Sequence, residues 1–177
     1  MRQIKPDDVR KLWDNFWTDK ERAHRLLKPV SLVAPTDDPT VLFNVAGMQQ
    51  LVPYLSGKAH PYGKRLYNIQ PCLRTNDIED IGDERHLSMF EMMGNWSLGD
   101  YFKKEALTRS VEFLVDKLGL NKEFLGCSIF GGYVDKNGQE IIPYDYEAEA
   151  VLLSLGIGQK KIKAISMTEG EKCDNFR

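Results

Sequence analysis

A polar segment between two stretches of β character constrains the fold of this chain more than any other feature. Residues 66–73 and 87–93 are rich in the aliphatic and aromatic side chains that favour extended strands. Residues 74–85 between them hold five acids and only two aliphatic side chains. This order predicts an antiparallel hairpin. Its connection is longer than the usual two to five or so residues, and long connections often carry function.

Further helix and strand signals predict an α+β fold with a largely antiparallel sheet. The first helix is indicated by an apolar stripe at helical spacing, which we interpret as core packing: Val9, Leu12, Trp13, Phe16 and Trp17. Two more helices are predicted over residues 106–118, with Gly119 as C-cap, and over 147–155. Short strands are predicted at 40–43, 127–130 and 161–165. No linker divides the sequence, so we expect one domain over residues 1–177.

Composition excludes several classes of protein. The chain has 24 Lys+Arg against 26 Asp+Glu, which argues against nucleic-acid binding through bulk basic charge. No apolar run approaches the roughly 20 residues of a membrane helix, and no signal peptide is visible at the N-terminus. The three cysteines form no CxxC pair, so neither a disulfide framework nor a zinc cluster is expected. We therefore expect a cytoplasmic protein without a membrane partner.

The hairpin carries the residue types that suit a nucleotide. Arg74 and Arg85 stand at the two ends of the polar segment, and a guanidinium binds phosphate bidentately. In the second strand, alternation places Phe90 on one side, where an aromatic ring can stack on a purine, and Glu91 on the other. A second interpretation stays open, in which the acidic loop is solvated and the two arginines form ordinary ion pairs with it.

The same stretch resembles a known family. Residues 90–104, Phe-Glu-Met-Met-Gly-Asn-Trp-Ser-Leu-Gly-Asp-Tyr-Phe-Lys-Lys, are close to the FEMLGNFSFGDYFK signature of the alanyl-tRNA synthetases, a class II family. Residues 76–82 resemble its NDLENVG segment, and residues 31–35, 38–43 and 46–48 resemble its motif 1 region. The resemblance covers nearly the whole chain, as the first part of the family's catalytic domain.

The resemblance implies a class II fold, an antiparallel sheet flanked by helices, and activation of alanine by ATP and Mg²⁺. The amino-acid carboxylate would attack the α-phosphorus of ATP, and pyrophosphate would leave. Arg74 would be the catalytic arginine that holds the α-phosphate, and Phe90 would stack against adenine. The implied ATP-binding residues are Arg74, Arg85, His86, Phe90 and Glu91, and the implied amino-acid-binding residues are Met48 and Asn175.

The sequence also departs from the family pattern. After Arg109 the only arginine is Arg177, so the arginine of the family's motif 3 is missing. The connection after Arg74 is shorter by about five residues than the family signature. Two interpretations follow: the chain is part of a longer enzyme whose other regions bind tRNA, or it is a non-catalytic paralogue that binds a nucleotide, an acceptor stem or a protein. The amino acid is expected to be alanine, with serine and glycine as alternatives.

Overall fold

The computed structural model describes residues 4–33, 42–75, 78–84 and 86–168. It divides into two compact units, Met1–Asp100 and Tyr101–Arg177. Both units combine helices with a three-stranded sheet, which confirms the predicted α+β class. That residues 1–177 form one domain stays a prediction.

The first unit begins with helix α1 (Pro6–Thr18). Pro6 occupies the first turn, where its missing N–H costs nothing, and the following acids complement the positive end of the helix dipole. The apolar stripe buries Trp13, Phe16 and Trp17, whose rings meet edge to face at centroid distances of 5.3 and 5.0 Å. The predicted core packing of this stripe is confirmed.

The sheet of the first unit has the order β1 (Arg25–Leu26), β2 (Arg65–Leu73), β3 (Met89–Ser97). Strands β2 and β3 pair antiparallel over nine positions without a bulge, which confirms the predicted hairpin. The prediction ended the second strand at residue 93, whereas β3 continues to Ser97. The strand β1 pairs parallel to β2, so the sheet is mixed rather than antiparallel throughout.

The prediction of a buried strand at residues 40–43 is wrong where it can be checked. Thr40 and Val41 lie outside the described residues, and the side chain of Leu42 is 82% exposed. Phe43 forms an isolated antiparallel bridge with Val33. An apolar run this short does not distinguish a strand from an extended connection. A 3₁₀ turn at Gln49–Leu51 follows and leads into the short helix α2 (Val52–Leu55).

The second unit begins with helix α3 (Lys103–Glu112), which continues as a π-helical turn at Phe113–Lys117. Gly119 ends it with a φ of 71°, as predicted for a C-cap. Strand β4 (Cys127–Val134) pairs antiparallel with β5 (Glu140–Ile142) and parallel with β6 (Ile162–Thr168). Helix α4 (Tyr146–Ser154) lies in the connection that makes this parallel pairing feasible.

The core of the second unit forms where the helices pack against β4. Its buried members are Val111, Ile129, Ala148, Leu152 and Ile157. The helices of the molecule are short, and among the described residues none is long and apolar enough to cross a membrane.

Asp145 connects helices α3 and α4. Its carboxylate accepts a hydrogen bond from the backbone N–H of Ala148 at 3.1 Å, which caps α4, and one from Lys103 Nζ on α3 at 2.8 Å. The bond from Lys103, followed by the one from Ala148, lowers the pKa of Asp145. Because the pKa is lower in the folded state, the ionised carboxylate stabilises the fold at pH values above its unfolded-state pKa. This stability is lost as the pH falls through the folded-state pKa.

We therefore expect Asp145→Ala to lower the free energy of unfolding at pH 7 by about 1 kcal/mol through loss of the cap. Asp145→Asn keeps a capping oxygen and loses only the charge, so it should cost less. The difference between wild type and Asp145→Asn should narrow as the pH is lowered from 7 toward 2. Urea unfolding followed by circular dichroism measures both effects. Equal costs for the two variants at pH 7, or a difference independent of pH, would contradict this role.

Candidate functional site

The β2–β3 hairpin presents two faces, because successive side chains of a strand point to opposite sides. The register pairs Cys72 with Phe90, Gln70 with Met92, Asn68 with Gly94 and Leu66 with Trp96. These eight residues lie on one side, which we call the Phe90 face. The opposite side, which includes Tyr67 and Glu91, is called the Glu91 face.

Helix α1 covers the Glu91 face. Arg10 donates from Nε and Nη2 to the same carboxylate oxygen of Glu91, at 2.8 and 2.6 Å. Trp13 Nε1 donates to the carbonyl of Asn68 at 3.2 Å. Burial, together with the nearby Asp14 carboxylate, raises the pKa of Tyr67 to about 12. The predicted ATP-binding residue Glu91 is therefore engaged by the protein itself, on the side of the sheet opposite Phe90.

Residues 44–47 cross the Phe90 face and are hydrogen-bonded to β2 and to Arg74, the residue that follows it. The carbonyl of Asn44 accepts from the N–H of Leu73 at 3.0 Å, and that of Val45 accepts from Arg74 Nε at 3.2 Å. The carbonyl of Gly47 accepts from Asn68 Nδ2 at 3.1 Å.

The absence of a side chain at Gly47 permits this close approach. A Cβ there would lie 3.2 Å from Asn68 Oδ1 and 3.5 Å from the Trp96 ring. Met48 follows directly, with a side chain 46% exposed. The bonds along residues 44–47 therefore carry Met48 to the side of the hairpin on which Phe90 lies.

Arg74 stands at the end of β2, where the hairpin opens. Its N–H donates to the carbonyl of Ser88 at 2.9 Å, and its guanidinium carbon lies 5.5 Å from the centre of the Phe90 ring. Within the part of the chain that the structure describes, Arg74 forms no ion pair. Its terminal nitrogens bond to no described residue and lie beside an aromatic ring, the combination predicted for a nucleotide.

The other predicted site residues are placed as follows. His86 lies in the β2–β3 connection, and Asp83 accepts from its backbone N–H and meets its ring Nδ1, both at 2.6 Å. Arg85 and Asn175 lie outside the described residues. The structure thus brings Arg74 and Phe90 together, carries Met48 to the same face, and separates Glu91 from them.

Two buried amides of this face were not predicted from the sequence. Asn68 and Gln70 are both fully buried, although a buried amide is costly unless it is bonded. Gln70 accepts from the N–H of Val30 at 2.9 Å and donates to its carbonyl at 3.0 Å. The sequence does hold a pattern that could have predicted them. Asn68 and Gln70 are two positions apart within a largely apolar strand, and this spacing places both side chains on one face.

No group of three or more His, Cys, Asp and Glu side chains is arranged to hold a metal ion within residues 4–33, 42–75, 78–84 and 86–168. Burial raises the pKa of the Cys72 thiol, so this residue behaves as a packed apolar side chain rather than a nucleophile.

Comparison with known proteins identifies the family. A family model described as tRNA synthetases class II (A) matches residues 8–177. The chain belongs to the class II tRNA synthetases. This class II chain is 45% identical, over 91% of its length, to a protein named alanine–tRNA ligase from Treponema denticola. Proteins of the same name from Borrelia garinii subsp. bavariensis and Rubrobacter xylanophilus are 47% and 41% identical, each over 96% of the chain.

The matches confirm the resemblance inferred from residues 90–104. The chain covers 26%, 27% and 18% of these three relatives, so it spans about a quarter of their length or less.

The Trp96 ring lies over Gly94 and leaves no room for a side chain at that position. A Cβ at this position would lie 2.2 Å from Trp96 Cη2 and 2.6 Å from Cζ2, so Gly94→Ala must displace the indole. We expect it to destabilise the chain by about 1–3 kcal/mol, as overpacking does, and to change the tryptophan fluorescence. Gly126→Ala is a matched control, because a Cβ there would meet no atom within 4 Å. Equal stabilities of the two variants would contradict the assigned packing.

Proposed function

We propose that this chain carries the part of an alanine-activating site that binds ATP and the amino acid, on the Phe90 face of the β2–β3 hairpin. The observation that carries the proposal is the Arg74 guanidinium, 5.5 Å from the centre of the Phe90 ring and without an ion pair among the described residues. Membership of the class II tRNA synthetases supports ATP as the nucleotide. Identities of 41–47% to proteins named alanine–tRNA ligase support alanine as the amino acid.

The reaction requires positioning more than acid–base chemistry. A carboxylate oxygen of alanine attacks the α-phosphorus, and the bond from that phosphorus to the bridging oxygen of pyrophosphate breaks. Arg74 offsets the charge that develops on the α-phosphate oxygens, and the Phe90 ring holds the adenine. Met48 offers an apolar contact for the small side chain of the amino acid. Holding both reactants on one face of the hairpin supplies the favourable orientation.

Several predicted participants stay predictions. No group of three or more His, Cys, Asp and Glu side chains among the described residues is arranged to hold a metal, and Mg²⁺ stays a prediction. Arg85, His86 and Asn175 remain predicted site residues, and we leave Glu91 out of the proposed ATP site because Arg10 engages it on the opposite face. Charging of tRNA and a cytoplasmic location stay predictions, because the chain spans about a quarter or less of the length of the relatives it matches.

The activity test is alanine-dependent exchange between ATP and pyrophosphate, with serine and glycine measured in parallel. We expect exchange with alanine above that with the other two amino acids. Arg74→Ala should lower it by about 10²–10³-fold, the usual effect of removing one preorganised donor to the developing charge. Arg25→Ala, which removes an exposed arginine of β1, is the matched control and should leave it unchanged. Undiminished exchange in Arg74→Ala would contradict the proposal.

A second candidate function is nucleotide binding without adenylation. Such binding requires only the Arg74 guanidinium beside the Phe90 ring, at 5.5 Å from the ring centre, and no further phosphate ligand. In that case equilibrium dialysis should show ATP binding that Arg74→Ala removes, while no amino acid supports exchange. Binding of ATP together with alanine-dependent exchange would reject this candidate.

A further inference from the structure

The first unit holds a cavity of about 570 Å³ at the end of the hairpin remote from Arg74. Its walls come from residues between Tyr54 and Lys64 and from Ser97, Leu98 and Gly99. Arg65 and Ser97 pair at this end of the sheet, whereas Leu73 and Met89 pair at the other. At about 3.3 Å per residue, β2 separates the two ends by roughly 26 Å. The cavity is therefore distinct from the proposed site on the Phe90 face.

The cavity is positively charged. Among the described residues, its lining includes Lys58, Lys64 and His60 and no carboxylate. Lys64 Nζ donates to the carbonyl of Gly99 at 3.2 Å. Neither lysine forms an ion pair with any residue that the structure describes. Two ammonium groups without a counterion among the described residues favour an anionic occupant, and one phosphate group can bind both.

The cavity also has aromatic walls. The His60 ring lies 4.3 Å from the Tyr54 ring and 5.4 Å from the Tyr62 ring, measured between centroids. His60 Nδ1 accepts from the N–H of Tyr62 at 3.1 Å, which places the proton of the neutral ring on Nε2. Burial lowers the pKa of His60, so the ring is neutral at pH 7 and offers one N–H donor.

The walls are anchored to the core of the unit. Tyr54 and Leu98 pack against the buried cluster of Leu27, Leu51 and Leu66. The N–H of Leu98 donates to the carbonyl of Lys64 at 2.8 Å, which fixes the two sides of the cavity to each other. A site whose walls belong to the core is formed before its ligand arrives, as small-molecule sites usually are.

We propose that this cavity binds a nucleotide, with the phosphate between Lys58 and Lys64 and the base against Tyr54, His60 and Leu98. Its volume lies within the range of about 300–1,000 Å³ that is usual for organic ligands and exceeds the space that a phosphate ion alone fills. Aromatic side chains beside cationic ones are the means by which proteins hold a base and its phosphate together. A free nucleotide and one nucleotide of an RNA strand share this chemistry. The proposal does not depend on the ATP site.

The test is a titration of the ¹⁵N-labelled 177-residue chain, followed through its amide resonances. Arg74→Ala serves as the background, so that binding at the Phe90 face does not contribute. The probes are adenosine 5′-monophosphate, inorganic phosphate and the trinucleotide of adenosine. We expect the monophosphate to shift resonances of residues 54–64 and 97–99, and to bind more tightly than inorganic phosphate.

Lys58→Gln combined with Lys64→Gln should weaken this binding at least about tenfold, because each change removes one charged donor to phosphate. Lys160→Gln combined with Lys163→Gln removes two exposed lysines of the other unit and should have no effect. Tighter binding of the trinucleotide supports an RNA strand as the source, and equal binding supports a free nucleotide. Absence of shifts in these residues, equal affinity for monophosphate and phosphate, or full binding by the Lys58 and Lys64 variant would overturn the proposal.

Discussion

The first unit depends on the unbroken pairing of β2 with β3. Nine consecutive pairs fix the register, and a slip by one residue would move every side chain of one strand to the other face. This register determines which side chains lie on the Glu91 face, where they contact α1, and which lie on the Phe90 face, where we propose that a ligand binds. It turns Glu91 toward Arg10 and places Phe90 beside the guanidinium of Arg74 at the open end of the hairpin.

Two buried amides of β2 fix the positions of chain segments outside the sheet. Asn68 and Gln70 project from the centre of β2, and a buried amide is unfavourable unless neighbouring groups bond to it. Main-chain groups of Val30 bond both ends of the Gln70 amide, and the carbonyl of Gly47 accepts from Asn68 Nδ2, so these bonds favour one path of the chain across the face. Hydrogen bonds to β2 therefore fix the position of the segment before Met48. A binding residue supported by a strand is positioned more precisely than one on a free loop.

Local signals made much of this architecture predictable. The apolar stripe of α1, the hairpin and the helix after Asp145 all follow from periodicity and turn chemistry, which act over a few residues. The features that were missed depend on distant contacts. β3 continues to Ser97 through its pairing with β2, in which Arg65 meets Ser97, and Glu91 meets Arg10 across 81 positions of sequence. The parallel pairing of β4 with β6 likewise depends on how α4 packs. Among the residues proposed for the site, Arg74, Phe90 and Met48 were implied by the resemblance. The neighbouring buried amides of Asn68 and Gln70 emerged only from the fold.

The central claim is that the Phe90 face binds the adenylate. It is tested most directly by a crystal structure of the chain with a non-hydrolysable sulfamoyl analogue of alanyl-adenylate. We predict the adenine against the Phe90 ring, the sulfamoyl group beside Arg74 and the alanyl group near Met48. An analogue that binds on the α1 side of the sheet, or in contact with none of these three residues, would contradict the account.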